Sequence, residues 1–177
     1  MRNPMEENRC LQNKYYLKPG ELFAGSKPAR VTTVVGSCVA VTMYHQQMNM
    51  AVMCHAMQPS CSHESSDCRN TCSEKFKVVR CVITEMMAQF EQLGVPKEGI
   101  EVKLFGGSAQ FAKNGGFSEE RAIGRQNIEA ALNILSTYGI RAHVMEVGGG
   151  MGRKLIFDTN NGAVFLKRIG PLGAKKN

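Results

Sequence analysis

The stretch Thr32-Thr33-Val34-Val35-Gly36-Ser37-Cys38-Val39-Ala40-Val41 holds two β-branched runs parted by a pair of small residues. Val31 to Val35 and Val39 to Met43 read as strands, and Gly36-Ser37 interrupts them where the backbone must bend. Cys38 therefore stands at a turn or strand edge. A polar turn, His45-Gln46-Gln47-Met48-Asn49, precedes a return run from Met50 to Cys54. An antiparallel return brings Met53, Cys54 and His55 back beside the start of the preceding strand, where Cys38 lies. A thiol and an imidazole within reach of one another are the minimum equipment for nucleophilic acyl chemistry. A free thiol ionises near about 8.5, so Cys38 needs a base or a cation beside it to attack at neutral pH. The blander reading stands next to this one: a strand cysteine is most often a small buried hydrophobe, and a single histidine most often a satisfied core residue.

Outward from this stretch, the chain before it reads as early β structure. Residues 1–14 are polar and irregular, an expected flexible N-terminal arm. Tyr15-Tyr16-Leu17 is a short strand entering the Pro19-Gly20 turn, and Leu22-Phe23-Ala24-Gly25 leads through Ser26-Lys27-Pro28 into the first β-branched run. From Phe76 the pattern turns helical, with Val79, Val82, Ile83, Met86, Phe90 and Leu93 at spacings of three or four and a stop at Gly94 and Pro96. Ile100 to Phe105 alternates as a half-buried strand and ends in Gly106-Gly107, a pair that lets backbone approach closely. Ile128, Ala131, Leu132 and Leu135 line a second helix closed by Gly139. Ile140 to Val147 reads as a strand. Gly148-Gly149-Gly150 offers backbone amides in a loop, and Leu155 to Asp158, Thr159-Asn160-Asn161-Gly162 and Ala163 to Lys167 read as a hairpin with an Asn-Gly turn.

The segment 59–75 is different in kind. Cys61, His63, Cys68 and Cys72 share one polar loop, which is compatible with a Cys₃His zinc site or with redox-sensitive or inert thiols, although the spacings follow no familiar zinc motif. The chain has 177 residues, enough for one domain, with 43% hydrophobic and 21% charged residues, the balance of a globular protein. Seven cysteines cannot all pair internally. With no apolar run of the roughly 18 residues a bilayer needs, and no apolar core of a signal peptide near Met1, the expected location is the cytoplasm and the thiols are expected to be reduced. A net charge of +7 and a pI near 9.1 favour an acidic partner. The absence of Trp and of long Lys/Arg clusters beyond Lys167-Arg168 and Lys175-Lys176 argues against nucleic acid.

Taken together, the motifs resemble the chemoreceptor glutamine deamidase family, CheD, over roughly residues 15–168. The resemblance rests on Val35-Gly36-Ser37-Cys38-Val39-Ala40-Val41, His55 followed by Pro59, Lys103-Leu104-Phe105-Gly106-Gly107, Ile123-Gly124-Arg125-Gln126-Asn127, and Val147-Gly148-Gly149-Gly150 with Gly152-Arg153-Lys154-Leu155-Ile156-Phe157. Any one of these is common; five in this order are specific. The resemblance implies an α/β (α+β) single domain, a layered β-sheet core with flanking helices, over 15–168, with 169–177 as a basic C-terminal tail. It implies hydrolysis of glutamine side chains of methyl-accepting chemotaxis receptors to glutamate with release of ammonia. It places the family's nucleophile on Cys38, its histidine on His55 and its threonine on Thr32, with no metal or other cofactor and no membrane insertion. A CheC-type phosphatase is a further expected partner. Two other classes stand beside the enzyme: a non-catalytic or weakly catalytic regulatory partner of such a phosphatase, and a zinc- or redox-responsive adaptor built on the cysteine loop. Departures from the family pattern fall at Gln58, at the cysteine loop and at Phe76-Lys77-Val78, none of them in the Cys-His-Thr set.

Overall fold

A computed structural model describes residues 13–61, 72–109 and 123–170. The elements run β1 (Asn13–Tyr16), β2 (Leu22–Gly25), β3 (Ala29–Val35), β4 (Val39–His45), β5 (Met50–Ala56), α1 (Val79–Gln92), β6 (Ile100–Gly106), α2 (Ile123–Thr137), β7 (Val144–Val147), β8 (Gly152–Asp158) and β9 (Ala163–Ile169). They form two sheets, one ordered β1-β3-β8-β9 and the other β2-β5-β4-β6-β7. Both sheets are mixed, since β1 runs parallel to β3 and β7 parallel to β6 while the remaining pairs are antiparallel.

The burial patterns explain the layering. Every residue of β4 and β5 is buried, whereas β3 alternates buried and half-buried along its length. A strand buried on both faces needs apolar residues at every position; a strand with one solvated face needs them at every second one. The five-stranded sheet is thus the middle layer. Its outer face, through Val41, Met43, Val52, Cys54, Val102 and Leu104, packs on the two helices. Its inner face, through Ala40, Tyr44, Ala51, Met53 and Phe105, packs on Val31, Val35, Leu155 and Phe157 of the four-stranded sheet. The α/β (α+β) layered core with flanking helices expected from sequence is this architecture, in one body.

Helix α1 buries Val79, Val82, Ile83, Met86, Met87 and Phe90 along one stripe, each contributing about 1.5–3 kcal/mol through removal of apolar surface from water. It starts at Val79 rather than Phe76, because Gln58 pairs with Val78 in a parallel bridge that keeps 76–78 extended or turned, and the Gln58 carbonyl takes the Val79 N–H at 2.9 Å. Both helices end alike. Gly94 and Gly139 adopt φ of 64° and 71°, and the next residues, Val95 and Ile140, return their N–H groups to Phe90 and Leu135 while burying their side chains. The strand expected over Ile140 to Val147 is confined to Val144–Val147, since Ile140 is used to close α2. No helix among the described residues is long and apolar enough to cross a membrane.

Candidate active site

The chain passes from the four-stranded sheet to the middle sheet between Val35 and Val39, so Gly36-Ser37-Cys38 is the corner at which it changes layers. All three carbonyls of that corner are held. Gly107 donates its N–H to the Cys38 oxygen at 2.8 Å, Ser108 donates to the Gly36 oxygen at 2.8 Å, and the Asn127 side-chain amide donates to the Ser37 oxygen at 2.9 Å. The first of these requires glycine: Gly106 has φ of 100°, and a Cβ there would strike the Cys38 carbonyl. Gly107, at φ of 64°, in turn packs against Gly124 at the start of α2. The glycine pair that ends β6 thus serves close backbone approach to the Cys38 corner.

Cys38 is half-buried and packs against the inner layer. Burial raises its thiol above the ordinary 9.0, opposed by a hydrogen bond from its own backbone N–H. His55 is 2% exposed, on β5. In the β4–β5 ladder His55 lies directly opposite Ala40, and the last pair is Val39 with Ala56. Ala40 is on the inner face, and Cys38, two residues before it, shares that face. Cys38 and His55 are therefore diagonal neighbours, for which Cβ separations of about 7–8 Å or somewhat less are usual and long side chains meet.

The imidazole is anchored on its other side. His55 Nδ1 lies 2.8 Å from Thr33 Oγ1, and the Thr33 hydroxyl lies 2.7 Å from the Leu17 carbonyl oxygen. A carbonyl only accepts, so the single hydroxyl hydrogen of Thr33 goes to Leu17 and Thr33 must accept from His55 Nδ1–H. That places the proton of neutral His55 on Nδ1 and leaves the lone pair on Nε2. The Leu17 carbonyl is itself fixed, because Leu17 N–H donates to the Thr32 oxygen at 2.8 Å. Burial lowers His55 below its ordinary 6.5, partly offset by the Leu17 carbonyl and the negative charge of Glu21. Both shifts favour the neutral form, of the imidazole and of the thiol.

The expectation for Thr32 is corrected here. Along β3, Val31, Thr33 and Val35 are buried on the inner face while Thr32 is half-buried on the opposite one, so Thr33 and not Thr32 reaches the histidine. A strand's side chains alternate, and a one-residue difference reverses the face. The signal was present in the sequence: Val31 and Val35, flanking Thr33 at intervals of two, mark its face as the apolar one.

Sequence reasoning named Asn127 only within a motif, with no role, and passed over Ser108. Both are buried, and Asn127 Oδ1 and Ser108 Oγ have no partner among the described residues. Arg153, opposite Val35 in the β3–β8 ladder, is 5% exposed; its guanidinium donates to the carbonyls of Gly148 at 2.8 Å and Met151 at 3.1 Å, pinning the glycine loop. Of the cysteine loop, Cys61 and Cys72 are half-buried free thiols, while His63 and Cys68 lie outside the described residues. No metal-holding group of three or more His, Cys, Asp or Glu occurs among the described residues.

Comparison with known proteins adds to this geometry. Residues 61–168 match the profile of the family described as CheD chemotactic sensory transduction. A protein of Maridesulfovibrio salexigens named "Probable chemoreceptor glutamine deamidase CheD" is 35% identical over 170 residues, covering 93% of this chain and 97% of that protein. One from Geobacter sulfurreducens, named "Probable chemoreceptor glutamine deamidase CheD 2", is 37% identical over 154 residues, covering 87% and 89%. A similarly named protein from Methanococcus maripaludis is 28% identical over 152 residues, covering 86% of this chain and 93% of that protein.

Proposed function

The chain belongs to the CheD family, and from that premise we propose that it is a cytoplasmic chemoreceptor glutamine deamidase in which Cys38 is the nucleophile, His55 the general base and acid, and Thr33 the residue that orients the imidazole. The observation that carries this reading is the chain of bonds from His55 Nδ1 to Thr33 to the Leu17 carbonyl, which holds the proton on Nδ1 of a histidine that shares its sheet face with Cys38.

The steps start from the neutral forms of both groups. His55 Nε2 takes the Cys38 thiol proton as sulfur attacks the δ-carbonyl of a receptor glutamine. The bond formed is S–C; the carbonyl π pair moves to oxygen. The Cys38 N–H donates to that oxyanion, a contact worth about 3 kcal/mol in comparable sites. Collapse breaks the C–N bond, and the imidazolium gives its proton to the departing amine, releasing ammonia. Water then loses a proton to the neutral His55 and attacks the thioester; the thiolate leaves, recovers the proton, and glutamate remains. Thr33 accepts from Nδ1–H throughout, the part a third residue plays in orienting a catalytic imidazole. The set needs no metal.

The substrate class comes from the family, as does a CheC-type phosphatase as a further partner; the net charge of +7 suits an acidic receptor surface. The test is ammonia release, with a matching mass gain of about one dalton per site, from a purified receptor cytoplasmic fragment. Activity that disappears in Cys38→Ala is the expected result. Equal activity of the variant, or none from the folded wild-type protein on several receptors, overturns the assignment.

A further inference from the structure

The β4–β5 ladder ends at Val39 opposite Ala56. Cys38 lies just beyond that last pair on one strand, and His55 just inside it on the other. Past the end of a ladder nothing in the backbone pairing keeps two strands at a constant separation, yet a thiol and an imidazole must meet within a few tenths of an ångström to exchange a proton. Among the described residues one side chain bonds both sides of the gap. Asn127, in the first turns of α2 and fully buried, donates from Nδ2 to the Ser37 oxygen at 2.9 Å and to the Met57 oxygen at 3.0 Å. Ser37 immediately precedes the nucleophile and Met57 follows His55 by two residues. A carboxamide nitrogen carries two hydrogens, so both are committed, one to each strand.

Two further features set this contact apart from ordinary packing. Asn127 Oδ1 is buried and without a partner among the described residues, a cost that an apolar side chain of similar volume would not incur. The helix that carries Asn127 is also pressed close to the corner, because Gly124 and Gly107 meet where neither tolerates a Cβ. The backbone is thus arranged to bring this amide to the open end of the hairpin.

We infer that Asn127 is a positioning residue that sets the separation between the Cys38 thiol and the His55 imidazole. The inference rests on the Cys38–His55 reading above. It acts through two backbone carbonyls and touches no reacting atom, so its loss is felt in the chemical step and not in substrate binding.

The experiment is the pH dependence of Cys38 alkylation by iodoacetamide, followed by mass spectrometry of the Cys38 peptide, together with kcat, KM and thermal melting. The proteins compared are wild type, His55→Gln, Asn127→Asp and Asn127→Ser. In wild type the rate is expected to rise in a step governed by His55, a step that His55→Gln removes. Asn127→Asp keeps the shape and removes both donors. It is expected to lose the step and to lower kcat by about 10- to 100-fold with KM little changed. Asn127→Ser removes the amide without adding charge, its hydroxyl being too short to reach either carbonyl; it is expected to lose the step as well, and it supplies the answer where Asn127→Asp does not fold. Folded variants that keep the step and retain kcat within about twofold, whatever their melting temperature, overturn the inference. A wild-type profile with no step, unchanged in His55→Gln, instead overturns the Cys38–His55 reading itself.

Discussion

His45 and His55 stand at opposite ends of the same hairpin, 3% and 2% exposed, and their burial is of one kind. Their hydrogen bonding is opposite. His45 Nδ1 accepts from the Met48 N–H at 3.3 Å and Nε2 faces the Glu98 carbonyl at 3.2 Å, so both nitrogens are spent and the proton sits on Nε2. His55 carries its proton on Nδ1, toward Thr33, and its Nε2 has no hydrogen-bond partner among the described residues. The first closes a turn; the second retains a lone pair on the face that holds a thiol. Burial alone therefore does not separate the two histidines, whereas a count of ring nitrogens against partners among the described residues does. The two cysteines repeat the lesson. Cys54, one residue from His55, points to the helix side, is fully buried and is pushed up to about 12, while Cys38 is half-buried at a corner.

The sharpest way to break the histidine comparison is to exchange both for glutamine. His55→Gln is expected to lower kcat by about 10²–10⁴-fold, the usual contribution of a positioned acid and base, with the fold retained. His45→Gln is expected to leave kcat near wild type and to cost about 1–3 kcal/mol of stability through stranded buried partners. Ammonia release and urea unfolding of the two variants measure both, and a large kcat loss in His45→Gln alone would reverse the assignment.

A smaller effect separates the adjacent threonines. Thr33→Val removes the group that holds Nδ1–H and is expected to lower kcat roughly tenfold, the equivalent of about one buried hydrogen bond. Thr32→Val, on the other face of β3, is expected to leave kcat unchanged. A loss in Thr32→Val without one in Thr33→Val would restore the position implied by family spacing.

The smallest effect is on stability against pH, and its two limbs have opposite signs. His55 titrates below 6.5 in the folded state, so the unfolded chain binds the proton first. Stability from this group is full above 6.5 and is lost as pH falls through the lower, folded value. Cys38 titrates above 9.0 when folded, so its contribution is full below 9.0 and is lost as pH rises toward the folded value. Urea midpoints of wild type and His55→Gln are expected to converge as pH falls from neutral to about 5. Parallel curves would place His55 in water.

Much of this was legible beforehand because it depends on local pattern. The β-branched runs, the polar turn before Met50, the helical stripe from Val79 to Phe90 and the Asn-Gly hairpin are short-range signals, and each yields the element expected. Cys38 at a bend and His55 on the return strand follow from the same reading, since an antiparallel hairpin brings its ends together by construction. The sequence by itself determined that a thiol and an imidazole would share one end of a hairpin. The apolar face of β3 was legible from Val31 and Val35, and tertiary structure decided that the face so marked, with Thr33 on it, would meet the imidazole. It likewise decided that Asn127 and Leu17, far from Cys38 along the chain, complete the arrangement. Their roles rest on a buried amide and a backbone carbonyl, groups whose use is set by what packing brings within hydrogen-bond distance.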